Sequence, residues 1–210
     1  MFLEERISRM GAACTPEFIN DFLGSTQVFA SSVNNVIEQR LLREVGPPDL
    51  TFSQFKLLKL VAHTDAQTIG DVATFLSISN AAASKAVDRL VRQGLLVRKE
   101  AQQDRRAIQL SLTPTSRRVL ADYDAAKDDK LASVFRQFST AELERTTELL
   151  DRLSAGIVNH TARVEDICLQ CGIYYRKKCL VRQLARRNCI YHRRRNHQHA
   201  PAAAQGNGSR

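Results

Sequence analysis

No acidic residue follows Asp166 in this 210-residue chain, although ten basic ones do: Arg176, Lys177, Lys178, Arg182, Arg186, Arg187, Arg193, Arg194, Arg195 and Arg210. Residues 1–166 carry 21 basic against 22 acidic side chains, so the formal net charge of +9 resides in a C-terminal extension. Also missing is any uninterrupted apolar run near the roughly 18 residues that a membrane span needs. The opening segment puts Glu4 and Glu5 where a secretory signal has basic and then apolar residues. These absences predict a soluble, cytoplasmic chain with no membrane partner. Catalytic signatures are lacking too: there is no Ser/His/Asp arrangement, phosphate-binding glycine loop or HExxH helix. The CxxC pair lacks the βαβ context of a thioredoxin-like enzyme, which leaves a thiol redox enzyme as the weak alternative to a non-enzymatic function. What is present is ordinary globular composition, 43% hydrophobic and 25% charged, in a chain long enough for a buried core.

Helical periodicity dominates the body. After the turn signal Thr15-Pro16, apolar residues recur at Phe18, Phe22, Val28, Phe29, Val33, Val36, Ile37 and Leu41, which predicts an amphipathic helix ending before Gly46-Pro47-Pro48. A second helix is expected from an N-cap near Ser53 through Phe55, Leu58, Leu60 and Val61. A third starts near Thr68 and carries Ile69, Val72, Ala73 and Leu76 on one face. Beyond Ser77-Ile78-Ser79 a fourth is expected from about Asn80 to Gln93, with Gly94 as its stop. On it Ala83, Ala86, Val87, Leu90 and Val91 face a core, while Ala81, Ser84, Lys85, Asp88 and Arg92 lie away from it. Two short helices joined by a tight turn are helix-turn-helix geometry, and equally the geometry of an ordinary helical hairpin. In the first case the small side chains admit the backbone to a major groove, where Ser84 and Lys85 reach base edges or phosphates.

Leu95 to Lys99 and Ala107 to Leu112 read as two strands, the second alternating cleanly between apolar and polar residues. A hairpin directly after a recognition-type helix is a wing, and an arginine at its tip, Gln102 to Arg106, can enter the narrow, electronegative minor groove. Asp104 can hold a neighbouring guanidinium by a charge-assisted bond; a solvated loop is the plain alternative. The run Ile78 to Thr113 resembles the winged helix of the MarR (multiple antibiotic resistance regulator) family of bacterial transcription factors. The matching elements are Ser84-Lys85, Asp88-Arg89-Leu90, Gly94-Leu95, Asp104-Arg105-Arg106 and Leu112-Thr113. Helix order and length agree from about residue 17 to 160. The resemblance implies a homodimer with intertwined terminal helices whose two winged helices read a pseudo-palindromic site on double-stranded DNA, as a repressor or an activator. It also implies Arg106 as the wing-tip contact, with Arg105 second and Asp104 orienting it. The DNA-contacting set is then Ser79, Asn80, Ala81, Ser84, Lys85, Arg89, Asp104, Arg105 and Arg106. A small-molecule effector between the dimer helices and the winged domain is a further implication, its identity not written in the chain.

After Thr113-Pro114 the chain returns to helix through Val119, Leu120, Tyr123, Leu131, Val134, Phe135 and Phe138. Ser139 or Thr140 caps another helix containing Leu143, Leu149, Leu150, Leu153, Ile157 and Val158. Thr140 with Leu143 falls short of a capping box, although Glu142 and Glu144 suit a helix N-terminus. Such helices need something to pack against: a partner subunit, or a closed monomeric bundle. The expected fold is mainly α, an α+β winged helix-turn-helix flanked by dimerisation helices. Its parts are an N-terminal dimerisation helix (17–46), the DNA-binding domain (50–115), C-terminal dimerisation helices (116–163), a basic cysteine-rich extension (164–195) and a disordered tail (196–210).

The extension carries Cys168, Cys171, Cys179 and Cys189 in the spacing C-x2-C-x7-C-x9-C, whereas Cys14 stands alone and is treated as inert. Thiolates are strong ligands for soft and borderline metals, and Gly172 behind the first pair suits a tight metal-binding turn. Ten residues at 3.6 per turn leave Cys179 and Cys189 off a common helical face, so a site using all four bends the segment. An iron–sulfur cluster, a structural zinc and a metal-free basic tail compete, the cluster giving a regulator something to sense. His192, three residues after Cys189, is a spare ligand. The basic residues either add phosphate contacts or balance thiolate charge.

Overall fold

The computed structural model describes residues 15–63, 68–76, 78–100, 108–159, 171–176 and 178–184. The chain divides into two compact units, one ending at Pro48 and the other beginning at Asp49.

In the first unit, α1 (Pro16–Ser32) starts where Thr15 accepts the Phe18 N–H on Oγ1 at 3.2 Å, with Pro16 in the first turn. It runs into a π-helical stretch (Val33–Arg40) and then α2 (Leu41–Val45), the residues at each junction keeping right-handed helical dihedrals. The sequence predicts one helix here and does not show the wider turn, which occurs mostly as a local bulge inside an α-helix. Within the stretch Asn34 Nδ2 donates to Glu38 Oε2 at 3.1 Å, and Gln39 Nε2 donates to Asn34 Oδ1 at 2.7 Å. Gly46 ends the rod as expected. Its N–H donates to the Leu42 carbonyl at 2.8 Å, and a Cβ there would sit 2.7 Å from that same oxygen. Phe18, Leu23, Val28 and Phe29 are exposed along α1, Val28 at 67%.

The second unit is built around α3 (Phe52–His63). Phe55, Leu57, Leu58 and Leu60 have no solvent exposure, and Val61, Gln54 and Lys59 are also buried. A helix buried almost all round is a core element rather than an amphipathic one. Its cap is Thr51, not Ser53. Thr51 N–H donates to Gln54 Oε1 at 2.9 Å while Gln54 N–H donates to Thr51 Oγ1 at 3.3 Å, a reciprocal capping box that also explains the buried glutamine. Lys59 Nζ donates to both oxygens of Asp124 at 2.5 and 2.6 Å and lies within 6 Å of the rings of Phe55 and Tyr123. The cation is therefore paired, as a buried charge must be.

Around α3 stand α4 (Ile69–Leu76), α5 (Asn80–Arg92), the antiparallel hairpin β1 (Leu96–Glu100) and β2 (Ile108–Leu112), and α6 (Pro114–Phe135). Val72, Ala83, Val87, Leu90, Leu96, Leu110, Val119, Leu120 and Tyr123 complete the core. The strand register sets Leu96 opposite Leu112 and Arg98 opposite Leu110. Thr113 caps α6 through the Ser116 N–H at 3.2 Å. Then α7 (Thr140–Asn159) opens with Ser139, whose N–H donates to Glu142 Oε2 at 2.8 Å while its Oγ accepts the Glu142 N–H at 3.3 Å. The capping box judged incomplete at Thr140 is thus complete one residue earlier, and its hydrogen bonds hold the Glu142 carboxyl below its ordinary pKa. A short helix, α8 (Leu180–Leu184), packs on α7. Val134, Phe135 and Phe138 are exposed near the end of α6, as are Leu149, Leu153 and Ile157 on α7. Among the described residues no helix is long and apolar enough to cross a membrane.

Candidate nucleic-acid interface

The second helix of the helix-turn-helix begins at Ser79, an extended residue whose Oγ accepts the Ala82 N–H at 3.2 Å. It ends in a full Schellman closure. The Gly94 N–H donates to Val91 O at 3.0 Å and the Leu95 N–H to Leu90 O at 2.9 Å, with Gly94 at φ +67°. Leu90 and Leu95, both buried, supply the apolar contact that accompanies this motif. The glycine is needed because a Cβ is disfavoured at that dihedral, whatever the space around it.

Between these ends Ala83, Val87 and Leu90 turn inward, while Asn80, Ala81, Ala82, Lys85, Arg89 and Arg92 are exposed. Ser84 is half-buried beside Lys85. Spacings of four and seven residues put Lys85, Arg89 and Arg92 on one stripe. The first turn ahead of it carries only short side chains, which lets a backbone approach another molecule closely. Of the residues expected to contact DNA, the structure gathers Ser79, Asn80, Ala81, Ser84, Lys85 and Arg89 on the start and outer face of α5. Ser79 has a structural duty as the cap. Arg92 was not among the expected contacts, yet its i+7 relation to Lys85 was there to be read.

One carboxylate lies near this stripe, and it is paired. Arg98 Nη2 of β1 donates to Asp88 Oδ1 of α5 at 2.6 Å. Both side chains are partly exposed, so the pair adds little stability. Its larger effect is to offset a negative charge beside three cations. Asp104, Arg105 and Arg106 lie outside the described residues, as do Cys168 and Cys189.

Cys171 and Cys179 are described; both are half-buried thiols outside any disulfide. They bracket Arg176, whose guanidinium is held on buried Asp151 of α7. Arg176 Nη2 donates to Asp151 Oδ2 at 2.7 Å and Nη1 donates to Oδ1, raising the Arg176 pKa chiefly through that hydrogen bonding. The Leu180 N–H donates to Asp151 Oδ2 at 3.2 Å. Among the described residues no three histidine, cysteine or acidic side chains converge as metal ligands. Tyr175, buried and at φ +44°, lays its ring 4.2 Å from that of His63 at the end of α3.

Burial, and secondarily Lys59, push the His63 pKa below its ordinary 6.5, against a smaller opposing pull from Asp124. A histidine depressed in the folded state binds its proton more readily when unfolded. Stability is therefore expected to fall as pH drops from 6.5 toward the folded-state value and to lose nothing more from this group below it. Melting temperatures between pH 5 and 8 should show that acid-side loss, and His63→Gln should flatten it.

Residues 49–107 match the profile of the MarR family. A similar sequence is YpoP of Bacillus subtilis, an uncharacterised HTH-type transcriptional regulator, 23% identical over 112 residues that span 53% of this chain and 79% of YpoP. Among solved structures, a MarR family protein from Bacillus stearothermophilus superposes with a TM-score of 0.57 at 19% identity, covering 69% of this chain and 99% of that one. RV1404 from Mycobacterium tuberculosis does so with a TM-score of 0.54 at 23% identity, covering 64% and 92%. These likenesses establish the fold as the winged helix of MarR family structures.

Proposed function

We propose that this chain, which matches the MarR family profile at residues 49–107, is a transcriptional regulator that binds double-stranded DNA as a homodimer. The carrying observation is the outer face of α5: a first turn of short side chains followed by Lys85, Arg89 and Arg92, with Asp88 neutralised by Arg98. A helix of that character fits a major groove, where the short residues permit depth and the cations meet phosphates or guanine edges. Asn80, Ala81 and Ser84 lie at the base edges in this reading, and Arg106 follows the wing into the minor groove, with Arg105 second and Asp104 orienting it. Dimerisation is supported by the large apolar side chains left exposed on α1, α6 and α7, which solvent does not favour. The setting is a reducing cytoplasm, beside the chromosome.

The four cysteines of the extension, Cys168, Cys171, Cys179 and Cys189, are the sensing element of this reading, holding an iron–sulfur cluster, with zinc as the alternative occupant. The donor chemistry supports it: four thiolates in 22 residues, with cations interleaved to offset their charge. A small-molecule effector acting between dimer helices and winged domain is the other route of control.

Duplex fragments selected from genomic DNA and titrated by fluorescence anisotropy test the reading. A preferred site should be bound at least about a thousandfold more tightly than random duplex, with affinity falling steeply as salt rises. Light scattering should give twice the chain mass. Anaerobically purified protein should be brown for a cluster; colourless material with stoichiometric zinc would decide for the alternative. Absence of any duplex binding in dilute buffer defeats the proposal.

A further inference from the structure

The segment from Cys171 to Leu180 is built onto the body of the second unit. Its start is a turn in which the Tyr174 N–H donates to the Cys171 carbonyl at 3.1 Å and Gly172 adopts φ +60°. Ile173 and Tyr175 are buried. Tyr175 keeps a left-handed backbone that a tyrosine adopts only where its surroundings hold it there. The other end is pinned twice by a single side chain, since the buried Asp151 carboxylate accepts from the Arg176 guanidinium and from the Leu180 N–H, which opens α8. Cys179 immediately precedes that second pin. Cys171 lies five residues before Arg176, in the turn that Ile173 buries. Both thiols are half-buried on this loop.

The same loop reaches the end of α3. His63, against which Tyr175 packs, is the last residue of α3, and α4 of the helix-turn-helix begins six residues later at Ile69. One turn back from His63, Lys59 fixes α3 to Asp124 of α6.

We infer that Asp151 is the positioning residue of the cysteine site: it closes the loop that carries Cys171 and Cys179, and through Tyr175 on His63 the loop's state reaches the helix-turn-helix. This rests on the cysteine-sensing reading proposed above. It adds two things, the residue that organises the site and the contact through which the site acts. With the loop closed, the end of α3 is braced and α5 is held ready for DNA. A group attached at either thiol that the closed loop does not accommodate opens it, withdraws Tyr175 from His63 and lowers operator affinity. Asp151 touches no ligand itself; it acts through Arg176 and Leu180.

The test uses the full chain and iodoacetamide as the probe. Alkylation rates at Cys171 and Cys179 are followed by mass spectrometry in wild type, Asp151→Asn and Asp151→Glu, with circular dichroism confirming the fold of each. Asp151→Asn should raise both rates about tenfold, because local opening becomes easier, and Asp151→Glu should restore most of the protection. Rates within twofold of wild type in Asp151→Asn overturn the positioning role. Alkylated wild type should bind its operator about tenfold more weakly, a coupling of ordinary size. His63→Ala should bind the operator about as weakly as alkylated wild type and respond no further to alkylation. Operator affinity that is indifferent to alkylation, or a His63→Ala protein that responds like wild type, overturns the coupling. A chain that binds no duplex at all fails the DNA-binding reading and the coupling together, while the alkylation rates still decide what Asp151 does.

Discussion

Lys85→Glu is expected to weaken operator binding by about 2–3 kcal/mol, near a hundredfold, while leaving the melting temperature unchanged. Lys85 is exposed at the centre of the basic stripe on α5, so its replacement disturbs no packing. The loss comes from a removed cation and an added anion where phosphates or guanine edges lie. The slope of log affinity against log salt should flatten by about two units, since each subunit of the dimer releases one fewer counterion. Anisotropy titrations at several salt concentrations give both quantities together. An unchanged affinity would move the DNA-binding face off α5 altogether, and with it the roles of Arg89 and Arg92.

The second large effect concerns the core. Phe55→Ala should cost about 3–5 kcal/mol of stability, a third or more of what a domain of this kind possesses. Phe55 has no exposure, and its ring lies 4.5 Å from that of Tyr123 and 6.2 Å from that of Phe52. Removing it strips contacts from α3 and α6, and it takes away the aromatic face near which the Lys59 ammonium sits at 5.8 Å. Urea unfolding should show a lower midpoint with an unchanged slope. A cost below about 1 kcal/mol would mean that the site collapses around the void, contrary to the close packing of interiors.

The sequence was most legible where local rules and tertiary demands coincide. The bounds of α5, the stop at Gly94 and the alternation of β2 were all written in short-range pattern, and each lies within a residue or two of its expected place. Caps were harder. Ser53 and Thr140 are plausible caps by type, but Thr51 and Ser139 each have a partner three residues on, Gln54 and Glu142, that completes the reciprocal bond. The same rule, applied one or two residues earlier, finds both. Lys59 was illegible, because nothing local says that a lysine on a helix will face Asp124, 65 residues away. Asp151 was hidden in the same way. It reads as one more acidic residue on a solvated helix until Arg176 and Leu180 are seen to converge on it. The four cysteines were legible as a group by spacing alone, whereas Asp151, proposed to position two of them, was not, since it lies outside that run.

The Schellman closure at Gly94 carries a last consequence. The chain passes from the end of α5 to the start of β1 in three residues, and Asp88 and Arg98 bridge the two elements again from the side. Helix and hairpin consequently pivot as one rigid paddle, with no hinge between them. A regulator made this way does not loosen its grip finger by finger. In the proposed dimer a signal is expressed as the distance between two paddles, so its operators should tolerate a changed base within a half more readily than a base pair inserted between the halves.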